Sequence, residues 1–362
     1  MEEFQEIELS GGRIEFKKGP EGGVSIGHRS ANPWPLSMFQ VCVSFDGKIL
    51  GTVPFGGIGQ VIPYPQPSLL AWVISDRHGM FGRRCPKCQS YFRTDACPGD
   101  HFCPYCGHSG KSTHFLTSNQ LKYIEKFCNS FIEAHDGDRD VILDLDNLAK
   151  ELPENKPQWL YSEEMQQNSY RCAHCKTKYD ILGEYGLCPQ CGRPNLAAVF
   201  TARLDALEKE FQEAEATLTD RHEREVEWEK LTRCVSEFES MANQLRSYLL
   251  RYPATPERKA ALRPLAFQNI LKANDALRDW YGFEILERVS DVDRRFLHIM
   301  FNRRHVFTHN AGRVDQEYLD NTGDNTVRLN EVLRVRSKEI RRLIPLVRDC
   351  GIRLICSYES IE

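Results

Sequence analysis

What this sequence lacks narrows it first. No apolar run approaches the ~20 residues that a membrane-crossing helix needs, so no membrane segment is expected. The opening MEEFQEIELSGG is acidic and has neither the basic start nor the apolar stretch of a secretory leader, so a cytoplasmic location is expected. Positive charge is not in excess. The 47 Lys and Arg against 51 Asp and Glu leave a formal net charge of −4, which excludes a protein that coats nucleic acid by bulk charge and confines any such contact to a local patch. A nucleotide-binding phosphate loop is missing too: PFGGIGQVIPYPQP is rich in glycine, but no Lys-Ser or Lys-Thr follows and no helix opens there, so it reads as turns. Asp136, Asp138 and Asp140 alternate as in a calcium loop, yet the glycine falls at Gly137 and Asn147 stands at the twelfth position where a glutamate is needed.

What is present divides into modules. At 362 residues, with 41% hydrophobic and 27% charged residues, the chain suits two or three soluble globular domains. Residues 1–80 carry short alternating runs such as GRIEF and FQVCVSFDGKILGTV, the latter with Asp46-Gly47 between two apolar stretches, a hairpin signal. A small β domain is expected there. Its role is not legible from its residues.

Cysteine is abundant, fourteen in all, and eight fall in four C-x-x-C pairs. In a reducing compartment such pairs read as metal ligands rather than disulfides. Cys85, Cys88, Cys103 and Cys106 form one quartet, and Cys172, Cys175, Cys188 and Cys191 another. Two knuckles of this kind close a tetrahedron of sulfurs, the arrangement of structural zinc, so two zinc ribbons holding two structural Zn²⁺ ions are expected over 81–135 (with a following helix) and 169–196. Four sulfurs leave no open coordination position, and no catalytic metal is expected. Redox dithiols or simply buried thiols are the alternative. Cys97, His101 and His108 lie near the first quartet as substitute ligands or spectators. Tyr91, Phe92, Arg93, His101 and Phe102 read either as a surface for single-stranded nucleic acid or as the core of a small module. Cys42, Cys128, Cys234, Cys350 and Cys356 sit among apolar residues and read as core. An acidic, solvated connector is expected over 136–168.

From Pro194 the apolar period becomes helical. Phe200, Leu204, Leu207, Phe211, Ala214 and Leu218 recur at heptad-like spacing, as do Trp228, Leu231, Val235, Phe238, Ala242, Leu245 and Leu249. The register breaks at TDRHEREVE, which implies one long bent helix or a helical hairpin. Further helices are expected at 257–279, 291–309 and 327–355, the last basic at Arg334, Arg336, Lys338, Arg341, Arg342 and Arg348. The fold class is therefore multidomain α+β: β domain, two ribbons, and an all-α bundle over 197–362.

The bundle contains FNRRHVFTHNAG. A helix through it is expected to bury Phe296, Ile299, Met300 and Val306 and to stop at Asn310-Ala311-Gly312. His305 and His309 then share one face, whereas Arg304 and His309 lie ~140° apart. A capped helix end, with basic residues favoured by the helix dipole, is one reading. A His305–His309 metal site is another, but Val306, Phe307 and Thr308 between them supply no acidic base.

Arg304-His305-x3-His309 also matches the R-x4-6-H motif, with a polar residue after the arginine, of HEPN domains. Over about residues 200–362 the chain resembles this α-helical family of prokaryotic toxin and defence ribonucleases, including the phrase running on through Val314-Asp315 to Tyr318. The resemblance implies a HEPN-like helical domain that cuts single-stranded RNA without a metal, as a homodimer with two motifs face to face and under a protein regulator. It implies His309 as acid or base, Arg304 as clamp on the transition state, His305 and Asn310 as orienting groups, and Arg303 on the RNA backbone. Relatives without catalysis exist in that family, so a zinc-dependent scaffold or sensor whose helical domain binds RNA, a nucleotide or a protein stays open.

Overall fold

The computed structural model describes residues 12–20, 22–29, 37–56, 62–76, 78–96, 98–137, 139–151, 167–215, 223–251 and 255–361. Cys97, Asp138, Leu218, part of the Pro/Gly stretch and the second half of the acidic connector lie outside them. The chain separates into two compact units, Met1–Asn195 and Leu196–Glu362. This is a mixed α+β architecture.

In the first unit, β1 (Arg13–Lys18) and β2 (Val24–Arg29) form a hairpin, and β3 (Met38–Val43) pairs with both β4 (Ile49–Pro54) and β5 (Leu69–Ile74). The β3–β4 turn falls at Asp46-Gly47 as its sequence requires, with Gly47 at φ +82°. Alternation sends Phe39, Val41 and Val43 of β3 and Leu69, Ala71 and Val73 of β5 to one face. Strands β6 (Phe81–Arg84), β7 (Tyr91–Thr94), β8 (Asp100–Phe102) and β9 (Ser109–Lys111) follow, and then the helix α1 (Ser118–Asp136). A reciprocal capping box starts α1: Thr117 Oγ1 accepts from the Gln120 N–H at 3.1 Å and Gln120 Oε1 accepts from the Thr117 N–H at 3.1 Å.

The helix does not stay with the first cysteine module. Its apolar stripe, Tyr123, Ile124, Phe127 and Cys128, fills the core between the two small sheets, where Phe127 meets Phe16 edge to face at 5.0 Å. Nor is the start of the acidic segment a solvated connector. Val141–Asp144 forms β10 on the free edge of β1, with Leu143 buried, and α2 (Leu145–Glu151) follows. Four residues are too few to show a period, and the pairing is set by an unpaired β1 edge that lies far away in sequence. The last strands, β11 (Gln167–Arg171) and β12 (Lys178–Leu182), join β7 and β6 in one four-stranded sheet of order β11-β12-β7-β6. The two cysteine modules are thus fused through β12–β7.

The second unit is all-α. Helices α3 (Leu196–Glu215) and α4 (Glu223–Leu249) are an antiparallel hairpin, with Arg203 paired to Glu237 at 2.8 Å and Lys230 to Glu210 at 2.9 Å. Among the described residues both heptad-like stripes are buried, apart from half-buried Ala214 and Trp228. The span 257–279 is broken into α5 (Pro256–Leu262) and α6 (Ile270–Tyr281), since Pro264 has no N–H to continue the ladder. Next come α7 (Asp291–Asn310), α8 (Gln316–Thr322) and α9 (Ser337–Glu359). The last begins ten residues later than its composition suggests, because residues 330–333 give their backbone bonds to Gly312 and Val314 instead. Among the described residues no helix is long and apolar enough to cross a membrane.

Candidate metal centres and the arginine-histidine helix end

All four C-x-x-C knuckles have one geometry. The residue after the second cysteine, Gln89, Gly107, Lys176 or Gly192, is left-handed with φ of 60–72°, and its N–H returns to the carbonyl of the first cysteine at 2.9–3.0 Å. The first cysteine's own N–H bonds to the carbonyl five residues on, at 2.7–3.0 Å. This tight loop turns both thiols of a knuckle to one side. Paired knuckles bring Cys85 to 3.6 Å from Cys106, Cys88 to 3.6 Å from Cys103, Cys172 to 3.6 Å from Cys191 and Cys175 to 3.5 Å from Cys188, sulfur to sulfur.

Within each quartet all four sulfurs lie inside 4.8 Å of one another. A tetrahedron of ~2.3 Å metal–sulfur bonds has edges of ~3.8 Å, whereas a disulfide needs ~2.05 Å. The quartets therefore fit a metal ion and not paired disulfides. Burial pushes Cys103 and Cys188 far up and Cys191 to about 11, while at Cys88 and Cys175 burial is outweighed by hydrogen bonds from Ser90 and Thr177, which bring both down to about 7. Four sulfurs in such surroundings become thiolates together only around a cation.

His101 and His108 are spectators, for each quartet consists of cysteines alone. His101 is fully buried near Phe115, and burial followed by the nearby Arg83 charge holds it neutral, at about 3. The aromatic and basic set of the first module is not a surface for a strand of nucleic acid. Phe92 is fully buried, and Arg93 is locked inside the fused sheet by Asp76 at 2.8 Å and Asp180 at 2.6 Å. Of the five remaining described cysteines, Cys42, Cys128, Cys234 and Cys350 are core, but Cys356 is exposed on α9.

Helix α7 is started by Ser290, whose Oγ accepts from the Asp293 N–H at 3.1 Å, and stopped by Ala311 in the left-handed region. It buries Leu297, Met300, Phe301, Val306 and Phe307, so its inner face is rotated from the one expected: Phe296 and Ile299 are only half-buried. Phe296 instead carries the Arg342 guanidinium 4.4 Å above its ring.

The rotation decides what each polar residue of the motif does. Arg303, expected on RNA backbone, is 7% exposed and lies in a buried network: it meets Asp324 at 3.0 Å and Glu339 at 3.3 Å, and Tyr318 Oη donates to the same Asp324 carboxylate at 2.7 Å. Its role is structural. Arg304 faces α4, where Nη2 meets Glu239 at 2.8 Å and Ser236 at 3.3 Å. Its Nε and the Glu239 Oε1 are buried with no hydrogen-bond partner among the described residues. Burial raises Glu239 despite the Arg304 charge.

His305 and His309 are exposed and face each other with ring centroids 4.5 Å apart. Asn310 gives its amide N–H to Asp315, which caps α8 by accepting from the Tyr318 N–H at 2.7 Å. The structure brings the two histidines together and commits Arg304 to another face of the helix. Three basic residues of α9 are likewise engaged: Arg341 with Glu215 at 2.8 Å, Arg342 with Asp293 at 2.6 Å and Arg348 with Glu208 at 3.1 Å.

Two features had no strong sequence signal. Glu239 sits in a heptad-like run one position beyond Phe238, where a charged residue reads as solvated. The cleft of about 550 Å³ beside His305 is assembled from four segments between Ala261 and Asn321. No family model, curated protein or solved structure matches this chain.

Proposed function

We propose that the second unit is a HEPN-type endoribonuclease that cuts single-stranded RNA through the ribose 2′-hydroxyl, and that the first unit is held together by two structural zinc ions. Zinc is the reading for the quartets because four thiolates in a closed tetrahedron suit it and a reducing cytoplasm keeps them available. The observation that carries the nuclease reading is the exposed pair of imidazoles at the end of α7, directly after an arginine with a free donor. Arg304 is held through Nη2, and its Nη1 has no partner among the described residues.

In the proposed reaction His309 takes the proton of the 2′-hydroxyl or returns one to the departing 5′-oxygen. Imidazole suits both tasks near neutral pH. The 2′-oxygen forms a bond to phosphorus as the bond to the 5′-oxygen breaks, leaving a 2′,3′-cyclic phosphate and a 5′-hydroxyl. Arg304 Nη1 stabilises the charge on the phosphorane, and His305 orients His309. Because Arg304 and His309 face different ways on one helix, the composite site uses two chains, and the active form is a homodimer through the helical unit. Asn310 positions the helix end through Asp315. A toxin or antiviral role, restrained by a protein regulator, follows from the resemblance.

A second reading rests on the Arg304–Glu239 pair. An arginine tethered to a half-buried carboxylate also suits a non-catalytic scaffold whose helical unit binds RNA or a partner. One experiment separates the two: unstructured RNA incubated with the protein in EDTA, with product ends analysed. Cyclic phosphate termini are expected, with a rate lowered on the order of 10²–10⁴-fold in His309→Ala and little changed in Arg313→Ala. RNA left intact in every class tried would remove the nuclease reading and leave the scaffold.

A further inference from the structure

The cleft beside His305 has a composition that a helical bundle does not need. Its apolar lining comes from Pro264, Leu265, Ala266 and Ala276, and its polar lining from Gln268, Asn269, Lys272, Asn302, Glu317 and Asn321. Its volume of about 550 Å³ is that of a small-molecule site. Among the described residues the side chains of Gln268, Lys272, Glu317 and Asn321 have no hydrogen-bond or ion-pair partner. Asn302 donates through Nδ2 to the His298 carbonyl at 2.8 Å, leaving its Oδ1 free, while Asn269 uses only its Oδ1, in capping α6 at 3.1 Å.

Uncommitted amides beside apolar side chains are groups that read the edge of a nucleobase, since Asn and Gln offer a donor and an acceptor in one plane. Glu317 sharpens the choice. A carboxylate accepts from an exocyclic amine and repels a carbonyl oxygen, so the polar lining favours adenine or cytosine, which carry that amine, over uracil, which presents a carbonyl there. Lys272 supplies the cation for an adjoining phosphate.

We infer that the cleft lined by Asn302, Glu317 and Lys272 is a nucleobase subsite that seats an amine-bearing base of single-stranded RNA next to His305. The inference rests on the proposed nuclease reading for the word substrate, but its binding chemistry does not need cleavage.

The test therefore uses oligonucleotides that the proposed chemistry cannot cut. Fluorescently labelled 2′-O-methyl oligo-A, oligo-C and oligo-U are titrated into the full chain, with anisotropy as readout. Oligo-A or oligo-C should bind on the order of 10-fold tighter than oligo-U. Glu317→Gln, which keeps the shape, and Gln268→Ala, at an exposed position, should each narrow that ratio, and Asn302→Leu should abolish it. Lys272→Ala should weaken all three oligonucleotides alike and flatten the salt dependence.

Equal binding of oligo-U, or a preference that survives all three polar-lining variants, would overturn the subsite. The outcome is distinguishable from that of the nuclease reading. If selective binding depends on the polar lining but natural RNA stays intact, the subsite stands and the nuclease falls. If RNA is cut and the polar-lining variants leave the sequence preference at the cut unchanged, the subsite falls and the nuclease stands.

Discussion

Arg303 and Arg304 are neighbours in sequence but sit ~100° apart around α7, and that angle gives them unrelated roles. Arg303 turns inward to Asp324, Tyr318 and Glu339. Burial disfavours the Asp324 carboxylate, but hydrogen bonds from Thr326, Tyr318 and Arg303 outweigh it and hold the group at about 2. Its folded value is thus depressed below the ordinary one of 3.8, so the stabilisation is complete above about pH 4 and is lost as pH falls through 2. It amounts to about 2 kcal/mol. Urea midpoints of wild type and Asp324→Asn at pH 5 and pH 2 should show this, with the wild type falling more on acidification. Arg303→Ala leaves that carboxylate buried without its cation and should cost about 3–5 kcal/mol in denaturant melts. An activity lost in that variant would report unfolding, not RNA contact. His309, exposed and without a hydrogen-bond partner among the described residues, is the position where loss of activity can be separated from loss of fold.

At the scale of the element, two glycines set the helices of the second unit. Gly312 is at φ +76°, and a Cβ there would lie 2.9 Å from the Phe307 ring, which itself stacks on Trp228 at 4.9 Å. Gly312→Ala should therefore destabilise by about 1–2 kcal/mol from the left-handed backbone alone, read as a lower melting temperature. Gly351 lies inside α9 at an ordinary helical φ, where propensity by itself would favour alanine by about 1 kcal/mol. A Cβ there would fall 2.2 Å from the Phe200 ring of α3. Packing wins: Gly351→Ala should be net destabilising by about 1–3 kcal/mol, and a stabilised variant would mean that α3 and α9 are not so closely set. The same close approach accounts for a glycine inside α9.

At the scale of the molecule, the two cysteine modules cannot behave independently. Because β12 pairs with β7 through Tyr179–Thr94 and Asp180–Arg93, and Arg93 spans both modules, loss of one ion removes support from the other. Metal analysis of protein purified without chelator should give two ions per chain. Cys188→Ser should lower that number and broaden the melting of the whole β-rich unit, since the ion's binding energy is folding energy there. The helical circular dichroism of 196–362 should persist, as that stretch forms its own compact unit. Sedimentation of the full chain should give a dimer, and a monomer that still cuts RNA would remove the two-chain site.

The sequence by itself determined the features that depend on neighbours along the chain. Four C-x-x-C spacings dictate four knuckles, heptad-like stripes dictate the α3–α4 hairpin, Asp46-Gly47 dictates a turn, and Ala311-Gly312 ends α7, because each is a local conformational or periodic requirement. Only the tertiary structure decided that the two cysteine modules share a sheet, that Val141–Asp144 completes β1, and that α1 closes the N-terminal core. It also decided that Arg303 is interior, that Arg304 belongs to Glu239, and that a cleft opens beside His305. These depend on which unsatisfied edge, charge or apolar face from a distant segment arrives opposite, and on a helix phase that several competing apolar residues leave undetermined until the partner surface selects one.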